Sequence, residues 1–262
     1  ISHQVRELEE VFGKPLFVRL HRRVELTPEG RRLASGLSRV LDALEASCAE
    51  VSLAPSGQVL SLYCAPTFAV KWLGPRLADF AKVHPGLTIR MTSGAEPMDL
   101  MRAREVDVAI SYGMALQRPG VEVTPLGKES IAPLCSPALM ACGGSAADIL
   151  SNQTLIDSLL SHVTWRDWFA LNGMPLPSRI RQSFDRAALS IAAAVDGIGI
   201  ALESTRLAER EIARGELVEL RDKHFKRVLR ETHFLSLRTN ERHTDKVKRF
   251  RTWIIGQLSA KP

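Results

Sequence analysis

Apolar residues recur at helical spacing over the first dozen positions. Val5, Leu8 and Phe12 fall on one face, while Ser2, His3, Gln4 and Arg6 point the other way. Gly13 is a stop signal, and the runs Leu16 to Arg19 and Val24 to Leu26 read as two short strands joined by Leu20-His21-Arg22-Arg23. The pattern predicts a helix leading into a hairpin with a cationic tip. Thr27 stands where an N-cap belongs, and Pro28 suits the first helical position. Beyond them Leu33, Leu37, Val40, Leu44 and Val51, with Leu41 alongside, form a roughly heptad seam, so a long helix that seeks a partner helix is expected.

Near Ser52 the composition shifts through Leu53-Ala54-Pro55-Ser56-Gly57, a hinge, into alternating strand and helix signals. Val59 to Ala65 predicts a buried strand, Leu73 to His84 an amphipathic helix, Leu87 to Thr92 a strand, Pro97 to Arg104 a helix and Val106 to Ile110 a strand. This is a βαβαβ unit. A second set follows: strands at Ile131 to Cys135, Thr154 to Ile156, Ile180 to Phe184 and Gly199 to Leu202, with helices at Trp165 to Leu171 and Ala187 to Val195. Gly197-Ile198-Gly199 precedes a strand instead of following one, which makes it a helix stop and not a dinucleotide loop. Trp165 and Trp168 are read as packing residues. The fold class is α/β, in two halves with a cleft between them outside the carboxyl ends of the strands.

Composition narrows the function classes. Thirty-five Lys and Arg against 29 acids leave a net charge of +6, which fits a nucleic-acid partner. The surplus is not in the first fifty-odd residues, where only Lys14 to Arg32 is locally basic; a second concentration from Lys223 to Arg251 reads as a solvated face. Cys48, Cys64, Cys135 and Cys142 show no CxxC spacing and the histidines no HExxH pattern, so neither disulfides nor a metal site is expected. No apolar run reaches the ~18 residues of a membrane span and no charged-then-apolar leader pattern stands before the first helix, so a cytoplasmic protein with no membrane partner is expected. There is no nucleophile elbow or phosphate-binding loop, and Gly143-Gly144-Ser145 is only a turn, so no enzyme, catalytic residue or cofactor is expected.

Candidate binding residues follow from the elements. His3, Gln4 and Arg6, with Ser2, would enter a major groove, and Arg19, Arg22 and Arg23 would grip phosphates or a narrow minor groove. In the second module Thr67 and Phe68 open a helix whose free amides suit a carboxylate or phosphate. Ser93-Gly94 ends the next strand and lets backbone approach a ligand. Asp157 and Phe184 end strands of the second half, and Asp157 would receive an ammonium group. Each has a plainer role open to it: Thr67 as a cap, Phe184 as core, Asp157 as a solvated acid, and Asp185 as the N-cap of the following helix.

The order of helix, Gly stop, Pro15-Leu16-Phe17-Val18-Arg19, basic stretch, Leu26-Thr27-Pro28-Glu29-Gly30 and long seam resembles the second half of a LysR-type winged helix-turn-helix. Further on, Pro66-Thr67-Phe68-Ala69-Val70-Lys71-Trp72-Leu73, Val106-Asp107-Val108-Ala109-Ile110, Leu155-Ile156, Trp165-Arg166-Asp167-Trp168, Phe184-Asp185 and Gly197-Ile198-Gly199-Ile200-Ala201-Leu202 are similar to landmarks of the same family. The likeness spans nearly the whole chain and is nearest to the subgroup of the glycine-cleavage activator and the β-lactamase regulators. It implies a partial winged helix-turn-helix at 1–27, a linker and dimerisation helix with hinge at 28–57, and a periplasmic-binding-protein-like effector domain at 58–262. Subdomain I would comprise 58–130 and 233–262, and subdomain II 131–232.

The implied partners are double-stranded promoter DNA, a small polar or zwitterionic effector, further copies in a homodimer or homotetramer, and RNA polymerase. The family's pattern has two helices ahead of the recognition helix, so a longer gene product is expected and weak DNA binding by this form alone. Equal affinity of an upstream-extended form would refute that. The alternative is a bilobed solute-binding or sensing protein without DNA binding.

Overall fold

The computed structural model describes residues 3–20, 23–52, 58–141, 143–179 and 181–259. The chain divides into two compact units, Ile1–Gly57 and Gln58–Pro262.

In the first unit, α1 (His3–Phe12) leads to β1 (Phe17–Leu20), β2 (Arg23–Leu26) and the 25-residue α2 (Pro28–Ser52). β1 and β2 form an antiparallel hairpin in which Phe17 faces Leu26 and Leu20 faces Arg23. A carboxylate fixes the entry to this hairpin: Glu9 on α1 accepts the amides of Leu16 (2.6 Å) and Phe17 (3.1 Å). Thr27 fixes the exit. Its hydroxyl accepts the Gly30 amide at 2.9 Å, as an N-cap should, and donates to the Pro15 carbonyl at 2.9 Å. The apolar face that the spacing gives α1 is uncovered among the described residues. No residue of α1 is buried, and Leu8 and Phe12 stand 42% and 51% exposed.

The second unit begins with β3 (Gln58–Cys64), then a continuous helical run made of α3 (Pro66–Phe68), a π-helical turn (Ala69–Leu73) and α4 (Gly74–Val83). Next come β4 (Leu87–Ser93), β5 (Val108–Tyr112), β6 (Val121–Pro125), β7 (Lys128–Cys135), α5 (Pro137–Met140) and α6 (Ala146–Asn152). β8 (Leu155–Ser158), α7 (Trp165–Leu171), β9 (Gln182–Phe184), α8 (Ala187–Val195), β10 (Ile200–Ser204), α9 (Glu209–Ala213) and β11 (Val218–Glu219) follow. β12 (Val228–Glu231), β13 (His233–Arg238) and α10 (Asp245–Ser259) complete the unit.

The strands form two sheets. The first has the order β4-β3-β5-β13-β6, with β3 parallel to β4 and β5, and β13 antiparallel to β5 and β6. The second has the order β11-β7-β10-β8-β9, with β12 also paired to β7; β9, β8 and β10 run parallel and β7 runs against them. The chain passes from one sheet to the other between β6 and β7 and returns between β12 and β13. The two crossings lie side by side, since the Leu126 amide donates to the His233 carbonyl at 2.8 Å.

Local chemistry explains several elements. α6 and α7 each start on a capping box, Ser145 with Asp148 and Thr164 with Asp167. Gly197 adopts φ 77° at the end of α8, which only glycine does cheaply, and supplies the stop that its spacing predicts. The helix expected at Pro97 to Arg104 is instead a turn. The Ala103 amide still donates to the Asp99 carbonyl at 2.9 Å, but the Arg238 guanidinium takes the carbonyls of Leu100 (2.9 Å) and Ala103 (3.4 Å), so β13 draws on backbone acceptors that a longer helix would need for itself. A single apolar core runs through both sheets, from Leu60, Phe68, Trp72 and Phe250 to Ile156, Ile191, Ala201 and Leu207. A second core fills the far half around Trp165, Trp168 and Phe169.

Candidate ligand-binding cleft

Between the two sheets lies a cavity of about 520 Å³, part of it open to solvent. Strand ends build it: Ala65, Pro66 and Thr67 after β3, Tyr112 at the end of β5, Ser158 at the end of β8, Asp185 and Arg186 after β9, Glu203 on β10 and His233 at the start of β13. Carboxyl ends of parallel strands leave unpaired amides and hydroxyls pointing into the same crevice, which is why such crevices take polar ligands. Thr67 lies in the first turn of the helical run. The first helical amide bond there is Ala69 to Ala65 (2.9 Å), so the amides ahead of it are outside the helix's own ladder.

Two carboxylates dominate the electrostatics. Glu129, at the β6–β7 crossing, has a fully buried side chain. Burial would raise it, but His233 Nδ1 at 2.6 Å, the Ser204 hydroxyl at 2.5 Å and Arg206 at 3.3 Å together hold its carboxyl at about 2, and the Thr232 hydroxyl also donates to it at 2.7 Å. Glu203 behaves oppositely. Burial, reinforced by the charge of Glu129, pushes it up to about 7 against the opposing bonds from Ser158 and the Ser204 amide. Ser158 Oγ lies 2.8 Å from Ser190 Oγ, so a pair of hydroxyls orients the Glu203 carboxyl. Tyr112 is also raised, first by burial and then by the two carboxylates, although hydrogen bonds from His162 and Ser161 pull the other way. Its ring lies 5.4 Å from that of His162 and 5.2 Å from that of His233, an aromatic bridge from the first sheet to the loop after β8.

The residues proposed from sequence fall in different places. Thr67 lines the cavity. Phe68 is fully buried, stacked on Trp72 at 4.9 Å and 4.4 Å from the His233 ring, so it props the lining from behind. Ser93 is exposed at the end of β4, and the lining residue of that loop is Ala95. Gly94 has a local reason to be glycine: a Cβ there would stand 2.1 Å from the Tyr63 hydroxyl, which donates to the Glu96 carbonyl at 2.9 Å. Asp157 faces Arg181 at 3.5 Å, and the lining residue beside it is Ser158. Phe184 packs half-buried on the core, while Asp185 lines the cavity. Asp185 is not the N-cap of α8. That position is Arg186, without a side-chain cap, and Asp185 pairs with the Arg186 guanidinium at 3.2 Å.

Sequence reading did not single out Glu203 or His233. The available signal was an acid ending the apolar run Ile200 to Leu202, where a strand buried on both faces has no solvated side for it. In the first unit His3, Gln4 and Arg6 are exposed on α1, and His3 lies 3.1 Å from Glu7 one turn on. Ser2 and Arg22 lie outside the described residues; the hairpin backbone sets Arg19 opposite Val24 and Arg23 opposite Leu20. Among the described residues no group of three or more His, Cys, Asp or Glu could hold a metal, and no helix is long and apolar enough to cross a membrane.

Residues 54–259 match the family model described as LysR substrate binding domain, and residues 1–31 match bacterial regulatory helix-turn-helix protein, lysR family. The chain is 35% identical over 259 residues to the HTH-type transcriptional regulator PerR of Escherichia coli K12, covering 99% of this chain and 86% of that protein. It is 30% identical over 270 residues to the glycine cleavage system transcriptional activator of the same organism, covering 99% and 85%. Among solved structures, the effector domain of the transcriptional regulator AmpR of Pseudomonas aeruginosa superposes with a TM-score of 0.64 at 27% identity, covering 77% of this chain and 96% of that one. A matching helix-turn-helix segment, a matching substrate-binding domain over most of the length and full-length relatives at this identity lead to one conclusion: the chain belongs to the LysR family of transcriptional regulators.

Proposed function

We propose that the protein is a cytoplasmic DNA-binding regulator whose operator binding, or bending of operator DNA, responds to a small polar or zwitterionic effector held in the cleft between the two sheets. The observation that carries this reading is the convergence of Thr67, Ser158, Asp185, Glu203 and His233, from five separate segments, on one partly enclosed cavity. Such a lining can hold both ends of a small polar molecule at once. A ligand acts only through differential affinity, so the effector must favour one arrangement of the two sheets, which then changes the presentation of the DNA-binding heads in a homodimer or homotetramer. Contact with RNA polymerase would follow from the same change.

On the head, α1 presents His3, Gln4 and Arg6, with Ser2, to the major groove, and Arg19, Arg22 and Arg23 hold phosphates or the adjacent minor groove. The helix-turn-helix match over residues 1–31 favours this over a solute-binding protein that works without DNA. The test is a thermal-shift screen of the whole chain against small carboxylic acids and zwitterions, repeated on Thr67→Val. A compound that raises the midpoint of the parent and loses that effect in the variant supports the cleft. A stabilising compound indifferent to Thr67→Val and to a bulky Ser158→Leu contradicts it.

A further inference from the structure

Resting on the reading of the cleft as an effector site, we propose that Glu203 is the specificity-determining residue: its carboxylate receives a primary ammonium group, so the effector is a small amino acid, and its binding expels a proton from the site. The acid first expected to do this, Asp157, already faces Arg181 and is not part of the lining.

Glu203 is 5% exposed yet borders the cavity. Its surroundings are specific. From β8 and α8 come the hydroxyls of Ser158 and Ser190. β7 contributes Glu129, a second carboxylate whose own donors are His233, Thr232, Ser204 and Arg206. β5 and β13 bring Tyr112 and His233, and the segment after β9 brings Asp185 and Arg186, which pair with each other. The cations near the cavity thus already face carboxylates, and among the described residues Glu203 has no ion pair. A buried carboxyl without a cation is stable chiefly in its neutral form, which accords with its rise to about 7. An ammonium group supplies the missing cation. The docked state is then carboxylate and ammonium: the carboxyl O–H bond breaks heterolytically, the proton leaves to solvent, and no other covalent bond changes.

The test uses the whole chain with the common α-amino acids in both enantiomers and, beside each, the acid that lacks the amine: acetate beside glycine, propionate beside alanine, 3-hydroxypropionate beside serine. Binding is measured by titration calorimetry at pH 6 and pH 8, in pairs of buffers that differ in ionisation heat. At least one amino acid should bind and its amine-free partner should bind at least about tenfold more weakly. Because a proton held near pH 7 competes below that value, affinity should fall about tenfold from pH 8 to pH 6, with release of about one proton at pH 6.

Glu203→Gln keeps shape and hydrogen bonding, and it separates Glu203 from His233 and Asp185. In it the pH dependence and proton release should vanish. The proton count on the parent stands even where that variant does not fold. Amine-free acids that bind as tightly, and lose binding in Thr67→Val, would overturn the assignment to Glu203 while leaving the cleft reading intact. An amino acid that binds without proton release, or no binding amino acid at all, would also overturn it. Binding indifferent to both Thr67→Val and Ser158→Leu would remove both readings.

Discussion

At the scale of single residues the two carboxylates of neighbouring strands β7 and β10 make opposite claims on stability. Glu129 is held at about 2, so the folded state binds its proton less tightly than the unfolded chain. Its contribution is complete above the ordinary value of 4.5 and is lost as pH falls from there toward about 2, an amount of roughly 3 kcal/mol. Removing the acid leaves His233, Arg206, Thr232 and Ser204 buried around nothing. Glu129→Ala should therefore cost about 3–5 kcal/mol at neutral pH in urea unfolding, and a loss below about 1 kcal/mol would contradict the network. Glu203, raised to about 7, has the reverse sign: the folded state favours its proton, and stability declines as pH rises from 4.5 through about 7. Glu203→Gln should thus gain stability relative to the parent between pH 5 and pH 8, by up to about 3 kcal/mol, without added ligand. A gain that does not grow with pH would contradict the assignment.

At the scale of elements, α7 shows how little a helix owes to its own length. It has seven residues, and two things hold it: the Thr164–Asp167 capping box and the burial of Trp165, Trp168 and Phe169. The Trp165 indole donates to the Ile156 carbonyl at 2.9 Å and so ties the helix to β8. Thr164→Ala should cost about 1 kcal/mol and Trp165→Ala about 3–5 kcal/mol, both read from chemical denaturation; the reverse order would show that packing does not dominate here. This helix was legible in sequence, as were the hairpin, the strand at Leu87 and α8, because their signals are local. β6, β12 and β13 were not recognised as strands. They pair antiparallel, and their partners lie far along the chain, as with Leu235 against Ile110 and Val228 against Ile131. The segment at Pro97 failed for the same kind of reason, since Arg238, more than a hundred positions later, takes its carbonyls. The place of Thr67 at the cavity was legible because it opens a helix. Glu203 and His233 were missed because only the tertiary crossing places a buried acid and a buried imidazole beside one cavity.

At the scale of the whole molecule, each compact unit has its own task to explain. In the second unit the two sheets are joined by two chain crossings, a shared apolar core and the ion pairs of Lys71 with Glu211 (2.9 Å) and Arg76 with Glu209. An effector therefore acts on a unit already held together, and a shift in the balance of closely related arrangements is the physically available response. In the first unit α2 leaves Leu37, Val40, Leu41 and Leu44 between 48% and 63% exposed, an apolar seam that a partner helix would cover. Leu37→Glu with Leu44→Glu should shift a dimer toward monomer in analytical ultracentrifugation, and an unchanged mass distribution would assign dimerisation elsewhere. The DNA-binding reading of this LysR-family chain can be tested on its own. Its most direct test is fluorescence anisotropy with DNA from its own promoter region, at two salt concentrations and against scrambled competitor, for this chain and for a form carrying any coding sequence upstream of Ile1. Specific binding by the extended form should weaken steeply with salt, with a flatter slope when Arg22 and Arg23 are changed to Ala. Binding by the extended form no tighter than to the competitor at either salt concentration would contradict the DNA-binding reading.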